Sequence, residues 1–310
     1  MSLVEQALKK MQEAAARPVP APGNALGQTR PRVDVATASK ASDTATHRAL
    51  AASPGAPLAP ARVVHLNPTA LRSAGLMPPE HQERQIAQQY RQIKRPLVAS
   101  ALGRGAPRVP NGHLIMLASA MPGEGKTFTA INLALSMSME KDVHILLVDA
   151  DVAKPHISKL LGVADAPGLL DVLRDPALDI ESVILPSDVP NLSILPAGTR
   201  SEHATELLAS ARMEQVVRAL ARDEQRIAVI DSPPLLLTTE SHALMQVAGQ
   251  VVVVVRAGVT SQQMLLDAIS YLGGHSSVSL VLNQAVASSP SGYYYYGYGD
   301  SNRSGPQSAP

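Results

Sequence analysis

Short apolar runs alternate with segments of helical periodicity along the chain from Pro110 onward. The apolar runs occupy residues 113–118, 143–148, 191–195, 227–230, 250–255 and 278–282, and the helical segments occupy residues 127–139, 168–174, 202–222, 240–247 and 261–272. Strands that are apolar on both faces are typical of a parallel sheet that helices cover on both sides. The alternation therefore predicts an α/β domain with a doubly wound, mostly parallel sheet. Its ligand should bind beyond the carboxyl ends of the strands.

The composition divides the chain into four parts. Residues 1–16 are predicted to form a short amphipathic helix, which is open to interpretation as a docking element or as a frayed terminus. Residues 17–62 are rich in Pro, Ala, Thr and Ser and have too few large apolar side chains to offset the entropy of ordering, so we expect a disordered linker. Residues 63–287 form the predicted α/β domain, with an additional helix over residues 79–95. Residues 288–310 form a predicted flexible tail.

The composition also excludes several classes of site and partner. The chain of 310 residues has no cysteine, which rules out disulfides, iron–sulfur clusters, thiolate zinc sites and cysteine nucleophiles. Its formal net charge of +1 lacks the positive excess of a dedicated nucleic-acid-binding protein, so we expect no nucleic-acid partner. The most apolar stretch, residues 251–255, is far shorter than the roughly 20 residues that a bilayer span needs. We therefore expect a cytoplasmic protein that does not span a membrane.

A glycine-rich segment at residues 120–127 follows the first apolar run and opens a predicted helix. Its two glycines allow backbone N–H groups to wrap a phosphate, and the helix N-terminus adds positive potential. Lys126 is placed to reach the β- and γ-phosphates, and Thr127 to bind Mg²⁺. The segment resembles a Walker A loop, although alanine holds the first position, where the general pattern has glycine. It predicts ATP and Mg²⁺ as ligands, and the nucleotide-binding residues are predicted to be Gly123, Glu124, Gly125, Lys126, Thr127 and Phe128.

Three aspartates stand at the ends of two apolar runs. Asp149 and Asp151 follow the second run, and their i, i+2 spacing in an extended chain directs both carboxylates to the same side. Asp231 ends the fourth run in a Walker B-like arrangement and should face the same crevice. On its own, a strand-end aspartate is more often a solvated turn residue. Beside a phosphate-binding loop, the three are predicted catalytic residues together with Lys126, and the predicted metal ligands are Thr127, Asp151 and Asp231.

Five of the seven tyrosines are clustered near the C-terminus. They are Tyr293, Tyr294, Tyr295, Tyr296 and Tyr298. The surrounding tail is rich in Gly, Ser and Pro, and it has no core in which the phenol rings could be buried. A low-complexity aromatic tail is one interpretation of this cluster. Because the same chain carries a predicted ATP site, a set of phosphate acceptors is the better one.

Together these motifs resemble the bacterial tyrosine kinases that govern capsule and exopolysaccharide synthesis. Within that family the chain is most similar to the exosortase-associated tyrosine autokinases, through its opening MSLVEQAL, the segment YRQIKRPL at residues 90–97, and LPAGT at residues 195–199 leading to ATELL at residues 204–208. The resemblance covers roughly residues 79–310. It implies a P-loop fold of the deviant-Walker type found in ParA and MinD, and it implies autophosphorylation of the tail, with transfer between subunits.

The resemblance also implies roles for individual residues and partners. Lys126 and Thr127 would bind the triphosphate and Mg²⁺, Asp149 would act on the incoming tyrosine hydroxyl, and the other two aspartates would hold the metal ion and its waters. Asn283, after the last apolar run, resembles the family's adenine-side asparagine. The process regulated would be exopolysaccharide polymerisation and export. The implied partners are further copies of the chain, a transmembrane polysaccharide co-polymerase as activator, and a tyrosine phosphatase.

The chain departs from the family pattern at two places. An Ala-Lys pair at residues 153–154 replaces a more basic pair, and Gln88, Arg91 and Lys94 stand where the family's assembly motif has one glutamate and two arginines.

Two alternative functions compete with the kinase. A ParA/MinD-like positioning ATPase would carry a signature lysine where this chain has Met121. A nucleotide-binding scaffold without kinase activity is the other alternative.

Overall fold

The computed structural model of the chain describes residues 62–105, 108–273, 275 and 277–285. The predicted N-terminal helix, nearly all of the predicted linker and the tyrosine cluster lie outside these residues, so those assignments stay predictions. Within the described ranges, no helix is both long enough and apolar enough to cross a bilayer.

Seven strands form one sheet at the centre of the domain. The strands are β1 (Leu114–Ser119), β2 (His144–Asp149), β3 (Leu185–Pro186), β4 (Leu192–Leu195), β5 (Arg226–Asp231), β6 (Gln250–Arg256) and β7 (Val278–Asn283). Their order across the sheet is β3-β4-β2-β5-β1-β6-β7, and among these strands only β3 runs antiparallel to its neighbour. Every side chain of β1 is buried, as expected for a strand covered on both faces. The predicted doubly wound, mostly parallel α/β sheet is confirmed.

Helices cover both faces of this sheet. The helices of the described residues are α1 (Pro68–Ser73), α2 (Glu83–Leu102), α3 (Lys126–Met137), α4 (His156–Leu160), α5 (Leu169–Arg174), α6 (Ala204–Leu208), α7 (Ala211–Leu220), α8 (Glu240–Val247) and α9 (Gln262–Tyr271), with 3₁₀ turns at Glu80–Gln82 and Ile180–Val183. One core joins the sheet to α1–α4 through side chains such as Leu97 and Ile131. The other core joins the opposite face to α5–α9 through side chains such as Leu170 and Leu265.

Several predicted helices differ in extent from the observed ones. The segment predicted as one helix over residues 202–222 is two helices, because Ser210 adopts an extended backbone (φ −80°, ψ 158°) and its hydroxyl donates to the Leu207 carbonyl. The helix predicted to end at residue 95 continues as α2 to Leu102. It tolerates Pro96 because that residue is exposed, so water can satisfy the carbonyl that the missing N–H leaves free. Helix α4 and strand β3 were not predicted, because they are too short to show a repeating pattern of apolar residues.

Helix α2 does not present the whole predicted assembly motif on its surface. Gln88 and Arg91 are exposed, but Lys94 is only 6% exposed. Its ammonium donates to the Ser136 carbonyl at 2.6 Å and pairs with the Glu140 carboxylate at 2.7 Å. Lys94 is therefore engaged by its own domain, and this position of the motif is not part of the exposed surface of α2.

The central strands carry the predicted site residues to one edge of the sheet. Strand β5 lies between β1 and β2, and its register with β2 places Asp149 opposite Asp231. Strand β1 ends at Ser119 and leads directly into the glycine-rich loop. Because these three strands are parallel, the loop and both aspartates meet at their carboxyl ends.

Candidate nucleotide-binding site

The glycine-rich loop connects β1 to α3 and depends on two glycines with positive φ. Gly123 has φ +81°, and Gly125, the N-cap residue of α3, has φ +92°, a region that side chains with a Cβ rarely adopt. A Cβ added to Gly125 would also lie 1.9 Å from Asn283 Nδ2, whereas nothing lies within 4 Å of a Cβ added to Gly123. Glycine is therefore required for two reasons at position 125 and for one reason at position 123.

The first residues of α3 contact the carboxylates at the strand ends. Lys126 Nζ lies 3.1 Å from Asp231 Oδ1 and 3.9 Å from Asp151 Oδ2, and Thr127 Oγ1 donates to Asp231 Oδ2 at 2.8 Å. Asp231 is fully buried and Lys126 is 7% exposed. Ion pairs this deeply buried persist only with good geometry and complete hydrogen bonding, and here both oxygens of Asp231 have a donor. The residues predicted to act on the phosphates and on the metal thus form one connected cluster.

This cluster has a ligand set that suits Mg²⁺. The described residues contain no group of three or more His, Cys, Asp or Glu side chains arranged for a metal ion, so a site made wholly of protein ligands is not built here. Mg²⁺ is typically held by one or two carboxylates together with waters and substrate phosphates. Asp151, Asp231 and the Thr127 hydroxyl supply such a partial set. Burial raises the pKa of Asp151, while the nearby Lys126 ammonium acts in the opposite direction, so a cation at this site would offset a real desolvation cost.

A cleft of about 720 Å³ opens over the loop and provides room for a nucleotide. One wall consists of loop and helix residues from Pro122 to Phe128, except Glu124, and we call it the loop wall. The facing residues come from distant parts of the chain, and we call them the assembled wall: Gly75, Leu76, Pro233, Pro234, Leu237 and Thr238. Asn283 and Asp151 also line the cleft, as the sequence predicted for ligand-binding residues.

Asp149 does not lie on the surface of the cleft. It is fully buried, and one carboxylate oxygen accepts hydrogen bonds from the Ser158 backbone N–H and from the Ser158 hydroxyl, both at 2.7 Å. The other oxygen, Oδ1, is buried and has no hydrogen-bond partner among the described residues. Burial raises the pKa of Asp149 to about 7, an effect that outweighs the two hydrogen bonds from Ser158. The i, i+2 pattern placed both aspartates at one edge, but only Asp151 faces the open cleft.

Two further predicted residues have contacts that sequence alone did not suggest. The Asn283 side-chain amide donates to the Glu124 carbonyl at 2.9 Å, so it contacts the phosphate loop as well as lining the cleft. The Glu124 carboxylate turns away from the cleft and binds within the protein. Any contact of Glu124 with nucleotide would therefore come from its backbone.

The structure adds residues to the site that no sequence motif marked. Leu76 lies more than forty positions before the loop, and its carbonyl accepts a hydrogen bond from Asn132 of α3 at 2.9 Å. Ser158 fixes Asp149, as described above. Lys154 and His156 line the cleft beside Asp151. Among these residues, only Lys154 was marked by the sequence, because the Ala-Lys pair at residues 153–154 departs from the family pattern. Leu76 and Ser158 belong to no recognisable motif.

Two tyrosines lie within the described residues, and neither resembles an acceptor in an open tail. Tyr90 is buried against the P-loop helix, and burial raises its pKa to about 12. Tyr271 is 49% exposed, and its ring lies 4.7 Å from that of His242. The five predicted acceptors lie outside the described residues.

A glycine-rich loop between a strand and a helix, a buried lysine paired with strand-end carboxylates, and a cleft above them define a P-loop nucleotide-binding domain. The family model described as "AAA domain" matches residues 112–275, which is more than half of the chain.

Curated relatives and solved structures narrow this class. The chain is 29% identical over 187 residues to the tyrosine-protein kinase wzc of Salmonella typhimurium, covering 60% of this chain and 26% of that protein. It is 29% identical over 216 residues to the tyrosine-protein kinase YwqD of Bacillus subtilis, covering 69% and 87% of the two chains. The kinase domain of VpsO has 27% identity and a TM-score of 0.56, covering 67% of this chain and all of that one.

This chain belongs to the AAA-domain family, and it is similar to bacterial tyrosine kinases. It spans about a quarter of the length of the Salmonella relative and most of the length of the Bacillus one. The predicted family is thus confirmed.

Proposed function

We propose that this chain is an ATP-dependent protein-tyrosine kinase that phosphorylates the tyrosine cluster at its own C-terminus. The observation that supports this most is the connected cluster of Lys126, Thr127 and Asp231 beneath a cleft of nucleotide size. Its residues are those that phosphoryl transfer requires, namely a cation and backbone N–H groups for the phosphates and oxygen ligands for a divalent metal. The curated relatives that the chain matches are named tyrosine-protein kinases.

Positioning and charge stabilisation are the main tasks of such a site, because the transition state of phosphoryl transfer is loose. The Lys126 ammonium would contact the γ-phosphoryl oxygens as negative charge develops on them. Mg²⁺ bound by Thr127, Asp151 and Asp231 would supply further charge neutralisation at the β- and γ-phosphates. The ion pair of Lys126 with Asp231 keeps the ammonium extended toward the phosphate site before ATP arrives.

Asp149 is the proposed partner of the tyrosine hydroxyl. Its Oδ1 is buried without a donor among the described residues, which is costly. A phenol O–H that reaches Asp149 after local movement of the residues covering it would supply the missing hydrogen bond. The pKa of Asp149, about 7, lies nearer to the pKa of a phenol than the pKa of an ordinary aspartate does. The carboxylate can therefore accept the phenolic proton late in transfer. Ser158 would hold the accepting carboxylate in one orientation through its two hydrogen bonds.

The last described residues before the tyrosine cluster lie beside the cleft. Strand β7 ends at Asn283, which lines the cleft, and the residues from 286 onward carry the tyrosine cluster. A tail that starts at the edge where the ATP cleft opens can reach its own site or that of a neighbour. We propose transfer between subunits, since an assembly would supply the neighbour's tyrosines at high effective concentration.

The proposed biological role is control of exopolysaccharide polymerisation and export. It rests on the resemblance to kinases of capsule and exopolysaccharide synthesis drawn from the sequence motifs. In this proposal a transmembrane polysaccharide co-polymerase activates the kinase at the inner membrane, and a tyrosine phosphatase reverses the modification. The exosortase-associated subtype is part of the same proposal and is supported by the segments at residues 90–97 and 195–208.

Incubation of the full chain with γ-labelled ATP and Mg²⁺ tests the kinase directly. We expect label on the wild-type protein, located by mass spectrometry of the C-terminal peptide, and almost none on a variant with the five clustered tyrosines changed to phenylalanine. A variant with Tyr271→Phe serves as the matched control and should be labelled normally. Hydrolysis of ATP without labelled tyrosine would contradict the proposal and would favour an ATPase.

A further inference from the structure

Glu124 is a buried carboxylate within the phosphate-binding loop. It is only 4% exposed and is absent from the lining of the cleft. A carboxylate that pointed into the cleft would repel a triphosphate, so its position in this loop needs a separate explanation. Burial of an ionised group is tolerated only when hydrogen-bond donors replace water around it.

Both carboxylate oxygens of Glu124 have such donors, and the two donors come from different parts of the chain. Oε2 accepts from the Met121 backbone N–H at 3.1 Å, which closes the first turn of the loop. Oε1 accepts from the hydroxyl of Thr260, a residue 136 positions further along the chain. The carboxylate thus fixes the shape of the loop and joins it to the segment between β6 and α9.

Thr260 is itself held firmly by the end of β6. Its hydroxyl oxygen accepts from the Arg256 backbone N–H at 3.0 Å while the same hydroxyl donates to Glu124. Arg256 pairs in the sheet with Asn283, and the Asn283 amide donates to the Glu124 carbonyl. Glu124 is therefore bound at the carboxyl ends of two neighbouring strands: its carboxylate is bound by Thr260, just after β6, and its carbonyl by Asn283 at the end of β7.

We propose that Glu124 and Thr260 act as positioning residues for nucleotide binding: their hydrogen bond holds the loop amides in the conformation that accepts the phosphates. Neither side chain touches the nucleotide. The role rests on the ATP binding proposed above. This role belongs to the Glu124 side chain, and a nucleotide contact through the Glu124 backbone stays a prediction.

Thr260→Val is the sharpest test, because valine keeps the shape of threonine and lacks the hydroxyl. The loss of a hydrogen bond to a buried charged group should weaken binding of a fluorescent ATP analogue with Mg²⁺ by about tenfold or more. In the labelling assay, KM for ATP should rise in the same proportion, while kcat at saturating ATP changes little. Thr260→Ser keeps the hydroxyl and should restore affinity to near the wild-type value.

Thr205→Val is the matched control, since the Thr205 hydroxyl is also bonded to a side chain, that of Thr239, but this partner is not part of the phosphate-binding loop. It should bind the analogue as the wild type does. Glu124→Gln retains one accepting oxygen and should give an intermediate affinity, which provides a second measurement if Thr260→Val fails to fold.

Two results would overturn the inference. Wild-type affinity in a folded Thr260→Val protein would show that the bond does not position the loop. Equal losses in the serine and valine variants would show that the hydroxyl is not the cause. If the wild-type chain itself bound no nucleotide, the proposed function would fail and the inference with it, whereas wild-type binding together with unchanged affinity in Thr260→Val would overturn the inference alone.

Discussion

The loop wall and the assembled wall of the cleft are built in opposite ways. The loop wall is one continuous segment. Gly123 and Gly125 set its backbone conformation, and the ion pair between Lys126 and Asp231 provides its charge. The assembled wall combines short segments that are far apart in sequence, and it is largely apolar. The contrast indicates that charge stabilisation is concentrated in a few consecutive residues, while shape is shared among many. Substitutions in the loop wall should therefore affect catalysis strongly, and those in the assembled wall should affect affinity mildly.

The largest effect is expected for Lys126→Met in the loop wall. It removes the cation that we propose contacts the γ-phosphoryl group, so autophosphorylation should fall by about 10³-fold or more in the γ-label assay. The domain should stay folded with a lowered melting temperature, because Asp231 keeps the Thr127 hydroxyl as a donor. Lys159→Met, at an exposed lysine outside the cleft, is the control. Full activity of Lys126→Met would remove the phosphate-loop assignment.

Asp149→Asn should produce the next largest effect, and it separates chemistry from binding. The amide cannot accept the phenolic proton, so kcat for tyrosine transfer should fall by about 10²-fold. Affinity for ATP should change by less than about threefold, since Asp149 does not line the cleft. Single-turnover labelling and equilibrium binding measure the two quantities separately. Equal losses in both would identify Asp149 as a metal ligand instead.

The two loop glycines form a matched pair for a smaller effect. In Gly123→Ala, the positive φ is the only source of strain, and it should lower the free energy of unfolding by about 1–2 kcal/mol. Gly125→Ala adds a clash with the Asn283 amide, so it should be less stable and should bind nucleotide more weakly than Gly123→Ala. Chemical denaturation and analogue binding test this order. If the two variants are equivalent, the contact with Asn283 does not constrain the loop.

Leu76→Ala in the assembled wall should have the smallest effect of the four. Removing part of an apolar surface should raise KM for ATP by about three- to tenfold and leave kcat almost unchanged. Met139→Ala, at a residue that is 79% exposed and outside the cleft, controls for loss of an apolar side chain. A drop in kcat as large as that of Asp149→Asn would show that the assembled wall contributes to catalysis and not only to nucleotide affinity.

The predictability of the site from sequence follows the same division. The loop, its lysine and the strand-end aspartates were predicted because each follows a local rule that holds wherever the chain folds: glycine where φ is positive, and carboxylates at the ends of buried parallel strands. Ser158 and Leu76 gave no such signal. Their roles depend on which segments pack beside the strand ends. Glu124 was predicted as a ligand contact because it lies in the motif, and only its donors show that its side chain faces inward.

The sequence by itself determined the class of fold, through the alternation of apolar runs and helical segments, and it located the phosphate loop and the tyrosine cluster along the chain. Periodicity reports how a segment is buried, so it identifies strands and helices without knowing their neighbours. Tertiary structure alone decided that Asp149 is buried while Asp151 faces the cleft, that Lys94 is bound to its own domain, and that Thr260 holds Glu124. Hydrogen bonds between residues more than a hundred positions apart leave no trace in local pattern, because their geometry exists only after the sheet has formed.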